Sequence, residues 1–159
     1  MSQHGLESFG AYQKARQLFD FVVSDMAELR KDTRCYRLIA QQVASADSIS
    51  ANIEEGYGRL SRTEYVRFLD FARSSARETR GRYERMHHWL HPPAIQHRIS
   101  LADEIIGILT RTIVTLQNDL GRRQSNVSYL KDELIGHETT EIADELPPPH
   151  STLNPRPHD

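Results

Sequence analysis

Arginine residues are concentrated in the middle of the chain, where their side chains could bind phosphate groups. Residues 59–91 contain eight arginines and four acidic residues. The planar guanidinium group binds a phosphate through two parallel hydrogen bonds and stacks on bases. Arg73, Arg77 and Arg80 are three or four residues apart, so they share one face of a helix. The pattern predicts contact with an RNA or DNA backbone. The five arginines of this predicted contact are Arg59, Arg62, Arg73, Arg77 and Arg80.

A second interpretation of the same arginines is that they form salt bridges. Glu78 and Arg82 are suitably spaced for a pair within one helix, and Asp70 or Glu55 could pair with arginines across a subunit boundary. The first interpretation has one distinguishing consequence: the affinity for nucleic acid should fall steeply as the salt concentration rises. The sequence leaves both interpretations open.

The segment GYGR, residues 56–59, raises the question of a phosphate-binding loop. Neither G-x-x-x-x-G-K-[ST] nor G-x-G-x-x-G occurs, and no strand pattern precedes the glycines. Gly56 is instead predicted to end a helix in the left-handed conformation, while Ser61 and Glu64 form a capping box that starts the next helix. The first two arginines of the predicted contact flank that helix start, where free amides and the helix dipole favour an anion.

Histidines near residue 90 suggest a metal site. His87 and His91 are one helical turn apart, with Glu84 at Glu-x-x-His spacing. A di-metal bundle needs that motif twice and two further glutamates, and only one copy is present. We therefore expect no metal and no other cofactor.

An R-x4-H arrangement is formed by Arg82 and His87. It resembles the motif of HEPN-type ribonucleases, in which paired subunits cleave RNA by acid–base chemistry. The polar residue that usually follows the arginine is missing, since Tyr83 is there. A ribonuclease is therefore an alternative, and we expect a protein that is not an enzyme and has no catalytic residue.

The elements that position these residues are predicted to be helices, because apolar residues recur at three- and four-residue steps. The third run stops where Pro92-Pro93 prevents further helix, and the fourth ends near Gly121. Short connections between amphipathic helices favour an antiparallel up-down-up-down four-helix bundle, so we expect an all-α domain over residues 1–123. The four apolar runs cover residues 10–30, 38–53, 65–90 and 99–120.

Aromatic residues of the third predicted helix fall into two groups. Tyr65, Phe68 and Tyr83 lie at helical spacing on the apolar stripe, which predicts that they belong to the core. Phe71 lies off this stripe and is predicted to face another subunit.

The C-terminal segment differs in composition from the rest of the chain. Residues 131–159 carry two basic and seven acidic residues, whereas residues 1–130 carry 18 basic and 15 acidic residues. Beyond residue 138 the segment is proline-rich and has too little apolar surface to offset its ordering entropy. We expect residues 124–159 to form a largely disordered tail.

The bulk composition limits the cellular location. The chain has 159 residues and no apolar run of the roughly 20 residues that a membrane span needs. Its single cysteine, Cys35, cannot form an internal disulfide, which is typical of a reducing compartment. We expect a cytoplasmic protein with no membrane partner.

The segment SISANIEEGYGRLSRTEYVRFLDFARSS, residues 48–75, resembles the four-helix-bundle proteins first noticed in intervening sequences of bacterial 23S ribosomal RNA genes. The family pattern resembles S-I-P-A-N-I-A-E-G-x-G-R followed by S-x-x-E-[FY]-x-x-F-L. This chain departs from it at Ser50, where proline is usual, and at Glu54, where alanine is usual. The matching residues include Asn52, Glu55, Gly56, Gly58, Arg59, Ser61, Glu64 and Phe68.

The resemblance implies a homo-oligomer, commonly a pentameric barrel, without established enzymatic activity. A similar branch, the accessory variability determinant (Avd) proteins of diversity-generating retroelements, partners a reverse transcriptase and binds nucleic acid. We therefore expect a non-enzymatic scaffold that binds RNA or DNA through its third helix. An accessory subunit of a reverse transcriptase is the first alternative.

Overall fold

A computed structural model describes the backbone of residues 3–143 and the side chains of residues 5–125 and 127. Within this part of the chain every regular element is helical, which confirms the all-α prediction. A 3-10 turn at Thr33–Cys35 precedes the third of the five helices. The helices are α1 (Gln3–Glu7), α2 (Gly10–Leu29), α3 (Tyr36–Tyr57), α4 (Arg62–Glu84) and α5 (Pro92–Ala143).

Helices α2 to α5 contact one another in sequence order, and α5 also contacts α2. Between α4 and α5, the partners run in opposite directions: Arg62 bonds to Asp119, whereas Arg80 bonds to Asp103. The two helices are therefore antiparallel, as short connections favour. One side-chain bond at each of the four boundaries is Tyr12 to Glu54, Gln42 to Thr79, Arg80 to Asp103 and Lys14 to Glu104.

The core lies between these four helices and is formed by the predicted apolar stripes. Each helix faces the core with its apolar residues, which recur at three- and four-residue spacing. Burying one leucine or isoleucine side chain fully stabilises the fold by about 1.5–3 kcal/mol. The fully buried side chains include Leu18, Val22, Met26, Ile49, Ile53, Leu69, Ala72, Tyr83, Ile105 and Leu109.

Gly56 does not end α3 in the left-handed conformation, so that prediction is wrong. The helix continues to Tyr57, Gly58 caps it at φ −74°, and no described glycine has positive φ. A Cβ atom added at Gly56 would lie 2.8 Å from the Cβ of Phe68 and 3.1 Å from Cδ2 of Tyr65. Glycine is therefore required because α3 and α4 approach closely.

The third predicted helix ends earlier than its apolar pattern indicates. α4 stops at Glu84, and residues 85–91 cross the end of the core, where Met86 and Leu90 are buried. Pro92 then begins α5, because the first position of a helix tolerates a missing amide proton. The two prolines thus start a helix, and the predicted continuation of the third helix to Leu90 is wrong.

The chain divides into two compact units, residues 1–120 and residues 121–159. The first unit contains the core described above. In the second, the backbone is helical up to Ala143, beyond the predicted helix end near Gly121, and the side chains of residues 121–125 are exposed. Residues 144–159 of the predicted tail lie outside the described residues. No described helix has the length and apolar character to cross a membrane.

Candidate functional site

Two of the three arginines predicted to share a face of α4 are held by acidic side chains. Arg80 donates to Asp103 of α5 and to Glu84, at 2.6 Å each, and the pKa of its guanidinium is raised by these bonds. Arg73 donates to Asp70 at 2.5 Å and lies 3.5 Å from Oγ1 of Thr110. These arginines stabilise the α4–α5 boundary.

Arg77 differs from its two neighbours on α4. Its side chain is exposed, and it forms no ion pair or hydrogen bond with the described residues. Its charge is therefore available to an external anion. Among the five arginines of the predicted contact, it alone lacks a described partner.

The remaining two arginines of the predicted contact lie near the corner between α3 and α4. Arg59 pairs with Glu55 one turn earlier, and Arg62 pairs with Asp119 of α5 at 3.3 Å. The backbone amide of Glu64 donates to the hydroxyl of Ser61 at 3.4 Å, which confirms the serine half of the predicted capping box, while the carboxylate of Glu64 pairs with Arg67. Four of the five arginines thus form salt bridges within one chain, and their contact with nucleic acid stays a prediction.

An exposed surface at the same corner combines apolar and cationic side chains. Leu60 is fully exposed, at 105% of its reference area, and Phe71 is 43% exposed. The rings of Phe68 and Phe71 meet edge to face at 5.9 Å, with Arg59 over the first at 5.0 Å and Arg67 over the second at 5.5 Å. We call these five residues the corner patch.

Phe68 shows why periodicity misassigns this patch. The sequence places Phe68 in the core, and its Cβ does face α3 beside Gly56. Its ring, however, lies under Arg59 and against Phe71, and only part of the residue is buried. Leu60 carries no periodic signal, because it lies in the connection between two helices.

The R-x4-H residues do not lie on one helix. Arg82 is in α4, where it pairs with Glu78 at 3.2 Å as predicted, and its side chain is only 15% exposed. His87 follows the end of α4, and its ring packs on that of His88 at 3.9 Å. Among the described residues, no three His, Cys, Asp or Glu side chains are placed to hold a metal ion.

A buried ionic network near the α4–α5 connection is absent from the sequence predictions. Tyr83 donates to Asp25 at 2.8 Å, and Arg98 donates to both oxygens of the same carboxylate at 3.0 and 3.2 Å. The guanidinium of Arg98 also lies 3.9 Å from the ring centre of Phe21. Burial, and then the charge of Asp25, raise the pKa of Tyr83 well above its usual range. These groups are far apart in sequence, so no local pattern could identify them.

The antiparallel helices and the arginine-rich α4 define an all-α bundle protein with exposed apolar and cationic side chains. The family model described as 23S rRNA-intervening sequence protein matches residues 7–111. The chain belongs to this family, as the resemblance of residues 48–75 predicts.

A solved structure has a similar fold. It is a protein of unknown function from the S23 ribosomal protein family of Bacteroides thetaiotaomicron VPI-5482. The two chains are 22% identical with a TM-score of 0.61, over 65% of this chain and 97% of the other. This likeness concerns the fold alone, and no curated protein matches the chain.

Proposed function

We propose that the protein is a non-enzymatic scaffold that assembles through the corner patch into a homo-oligomer, in line with the pentamer that the family resemblance implies. The observation that carries the proposal is the exposure of two large apolar side chains, Leu60 and Phe71, in the corner patch. Exposed apolar side chains of this size present surface that a partner would remove from water.

The composition of the corner patch supports a protein contact. Interfaces are enriched in aromatic residues and arginine at their centre and are rimmed by polar groups. Here Phe68 and Phe71 contribute two aromatic rings in contact, and the guanidinium groups of Arg59 and Arg67 lie over them. The carboxylates of Glu55 and Glu64, which pair with these arginines, supply the polar rim.

Light scattering coupled to gel filtration tests the assembly. We expect the wild type to elute at several times its chain mass of 18.3 kDa, five times for a pentamer. Leu60→Glu and Phe71→Glu should each yield monomers, because a buried carboxylate without a partner costs several kcal/mol. Val23→Glu is the control, since Val23 on α2 is 49% exposed, close to the 43% of Phe71. A monomeric wild type would contradict self-association and leave the patch to another protein, with a reverse transcriptase the first to test.

Nucleic-acid binding is a second candidate activity, and Arg77 is the observation that favours it. Arg77 is exposed on the helix predicted to contact the backbone, and no acidic side chain among the described residues neutralises it. Alanine at Arg73 or Arg80 would also break contacts between α4 and α5, so Arg77 is the informative position. We find no contact among the described residues that favours the ribonuclease alternative.

A salt titration tests this activity. We expect the affinity for a DNA duplex to fall as the salt concentration rises. Arg77→Ala should reduce the slope of log affinity against log salt concentration by about 0.9, because one phosphate contact is lost. Arg16→Ala is the control, because Arg16 is exposed on α2 and pairs with Glu7. Equal slopes for the wild type and the Arg77 variant would exclude α4 as the contact.

A further inference from the structure

Two connections form one end of the bundle, opposite to the corner patch. We call this surface the loop end; it consists of residues 30–37, which form the α2–α3 connection and the start of α3, and residues 85–91, between α4 and α5. Because neighbouring helices are antiparallel, both connections lie at the same end. The indole Nε1 of Trp89 donates to Asp32 at 3.2 Å and joins them directly.

The loop end carries a strong positive charge in a chain that is slightly acidic overall. Its 15 residues include five Lys or Arg and one acidic residue, whereas the whole chain has a formal net charge of −2. That acid, Asp32, is already bound by Arg34 at 2.6 Å and by Trp89. The other basic residues of the loop end differ in whether they form ion pairs. Lys31 pairs with Glu28 of α2. Three are exposed and have no ion pair with described residues: Arg30, Arg37 and Arg85.

Exposed aromatic rings lie among these charges. Tyr36 is 61% exposed at the first position of α3, and Trp89 is 38% exposed. The imidazoles of His87 and His88 pack against each other at 3.9 Å, and His88 meets Trp89 at 5.6 Å. Flat rings and unpaired guanidinium groups together form the kind of platform on which unpaired bases stack.

We propose that the loop end binds single-stranded nucleic acid, with bases stacked on Tyr36 and Trp89 and phosphates bound by Arg37 and Arg85. This inference rests on the nucleic-acid binding proposed above and assigns that activity to a different surface. At the corner between α3 and α4, by contrast, Arg59 and Arg62 both have acidic partners. A duplex hides its base faces within the helix, so it can use the arginines of the loop end but not its rings.

Fluorescence anisotropy of labelled single-stranded RNA, single-stranded DNA of the same sequence, and the duplex tests the assignment. We expect the full-length protein to bind the single strands more tightly than the duplex. Arg37→Ala combined with Arg85→Ala should weaken single-strand binding about 10-fold and reduce the salt slope by about 1.4, or 0.7 for each lost contact. The matched double variant combines Arg77→Ala with Arg111→Ala, which removes two exposed arginines elsewhere.

Tyr36→Ala separates stacking from charge. It changes no charge at an exposed position, and we expect at least a 5-fold loss of single-strand affinity with little change for the duplex. Circular dichroism of each variant checks that helix content is retained.

Each outcome of these measurements decides between the two surfaces. If only the Arg77 and Arg111 variant weakens binding, the loop end is excluded and α4 remains the contact. If the wild type binds none of the three probes, nucleic-acid binding fails at both surfaces. Equal losses for single strands and duplex in Tyr36→Ala would exclude base stacking. A difference in affinity between single-stranded RNA and single-stranded DNA would identify which of the two the loop end prefers.

Discussion

Asp25 is the residue on which the buried ionic network depends. Its carboxylate is 10% exposed and accepts hydrogen bonds from Tyr83 and Arg98. Replacing Arg98 by alanine would leave this charge buried without a cation, which we expect to lower the free energy of unfolding by about 3–5 kcal/mol. Tyr83→Phe removes only one donor and should cost about 1–2 kcal/mol. Urea unfolding followed by circular dichroism measures both changes.

Arg111→Ala provides the control for this network, because Arg111 is exposed on α5 without an ion pair to described residues. We expect it to change the free energy of unfolding by less than about 0.5 kcal/mol. A similarly small effect for Arg98→Ala would show that Asp25 is adequately solvated without its cation.

Alkaline pH should destabilise the fold through its tyrosines. The pKa of Tyr83 is raised by burial and by Asp25, and the pKa of Tyr65 is raised by burial. Their stabilising contribution is complete below the unfolded pKa of about 10, and it is lost as the pH rises above that value. We therefore expect the free energy of unfolding to fall above about pH 10, by at most about 1.4 kcal/mol per pH unit for each tyrosine.

The variant Tyr83→Phe isolates the largest part of this pH dependence. Because phenylalanine does not ionise, the variant should lose less stability than the wild type between about pH 10 and pH 11. Urea unfolding at a series of pH values provides the comparison. A pH dependence that is unchanged in the variant would assign the alkaline loss to other groups.

At the scale of elements, the periodicity of apolar residues predicts the long helices but not all of their ends. The spacing of Leu18, Val22 and Met26 is a local property of one helix, so the sequence is enough to assign it. The end of α4 depends instead on Met86 and Leu90, which are buried by the chain crossing the core rather than by further helix. Such tertiary burial has the same apolar signature as a helical stripe.

Gly56 provides a prediction about the packing of α3 against α4. Alanine is normally favoured over glycine within a helix by about 1 kcal/mol. At Gly56 the new methyl group would meet the Cβ of Phe68, and we expect overpacking to lower the free energy of unfolding by about 1–3 kcal/mol. Chemical denaturation of Gly56→Ala measures this loss.

Gly121→Ala is the matched control for that substitution. No atom lies within 4 Å of a Cβ added at Gly121, which is also helical. The control should therefore be neutral or stabilising by up to about 1 kcal/mol. Stabilisation by Gly56→Ala as well would mean that α3 and α4 can separate without cost.

In the whole molecule, the number of free positive charges on each surface depends on which arginines the fold pairs with acidic residues. The sequence shows that arginines are abundant, but Arg62 and Arg80 find partners in α5, 57 and 23 residues away. Local spacing identifies pairs such as Glu78 with Arg82, because both lie on one helix. It cannot identify Arg37 and Arg85 as exposed residues that lack an ion pair with the described residues, because that requires knowledge of every long-range partner.

Assembly and nucleic-acid binding are proposed at opposite ends of the bundle, so they can be separated experimentally. Helix α3 connects the two ends, and its 22 residues span about 33 Å. Leu60→Glu should therefore leave each loop end intact. An oligomer, however, presents several loop ends to one strand, which raises the effective concentration of every contact after the first.

The length of the strand thus provides a test of the whole assembly. We expect Leu60→Glu to weaken binding of a strand of about 60 nucleotides by about 100-fold, because the gain from multivalency is lost. Binding of a strand of about 10 nucleotides, which can occupy only one or two loop ends, should change less than about 2-fold. Anisotropy titrations of both lengths, with Val23→Glu as the control, measure the difference. Equal losses at both lengths would place the corner patch within the nucleic-acid contact itself, because a substitution about 33 Å from the loop end affects a short strand only through direct contact.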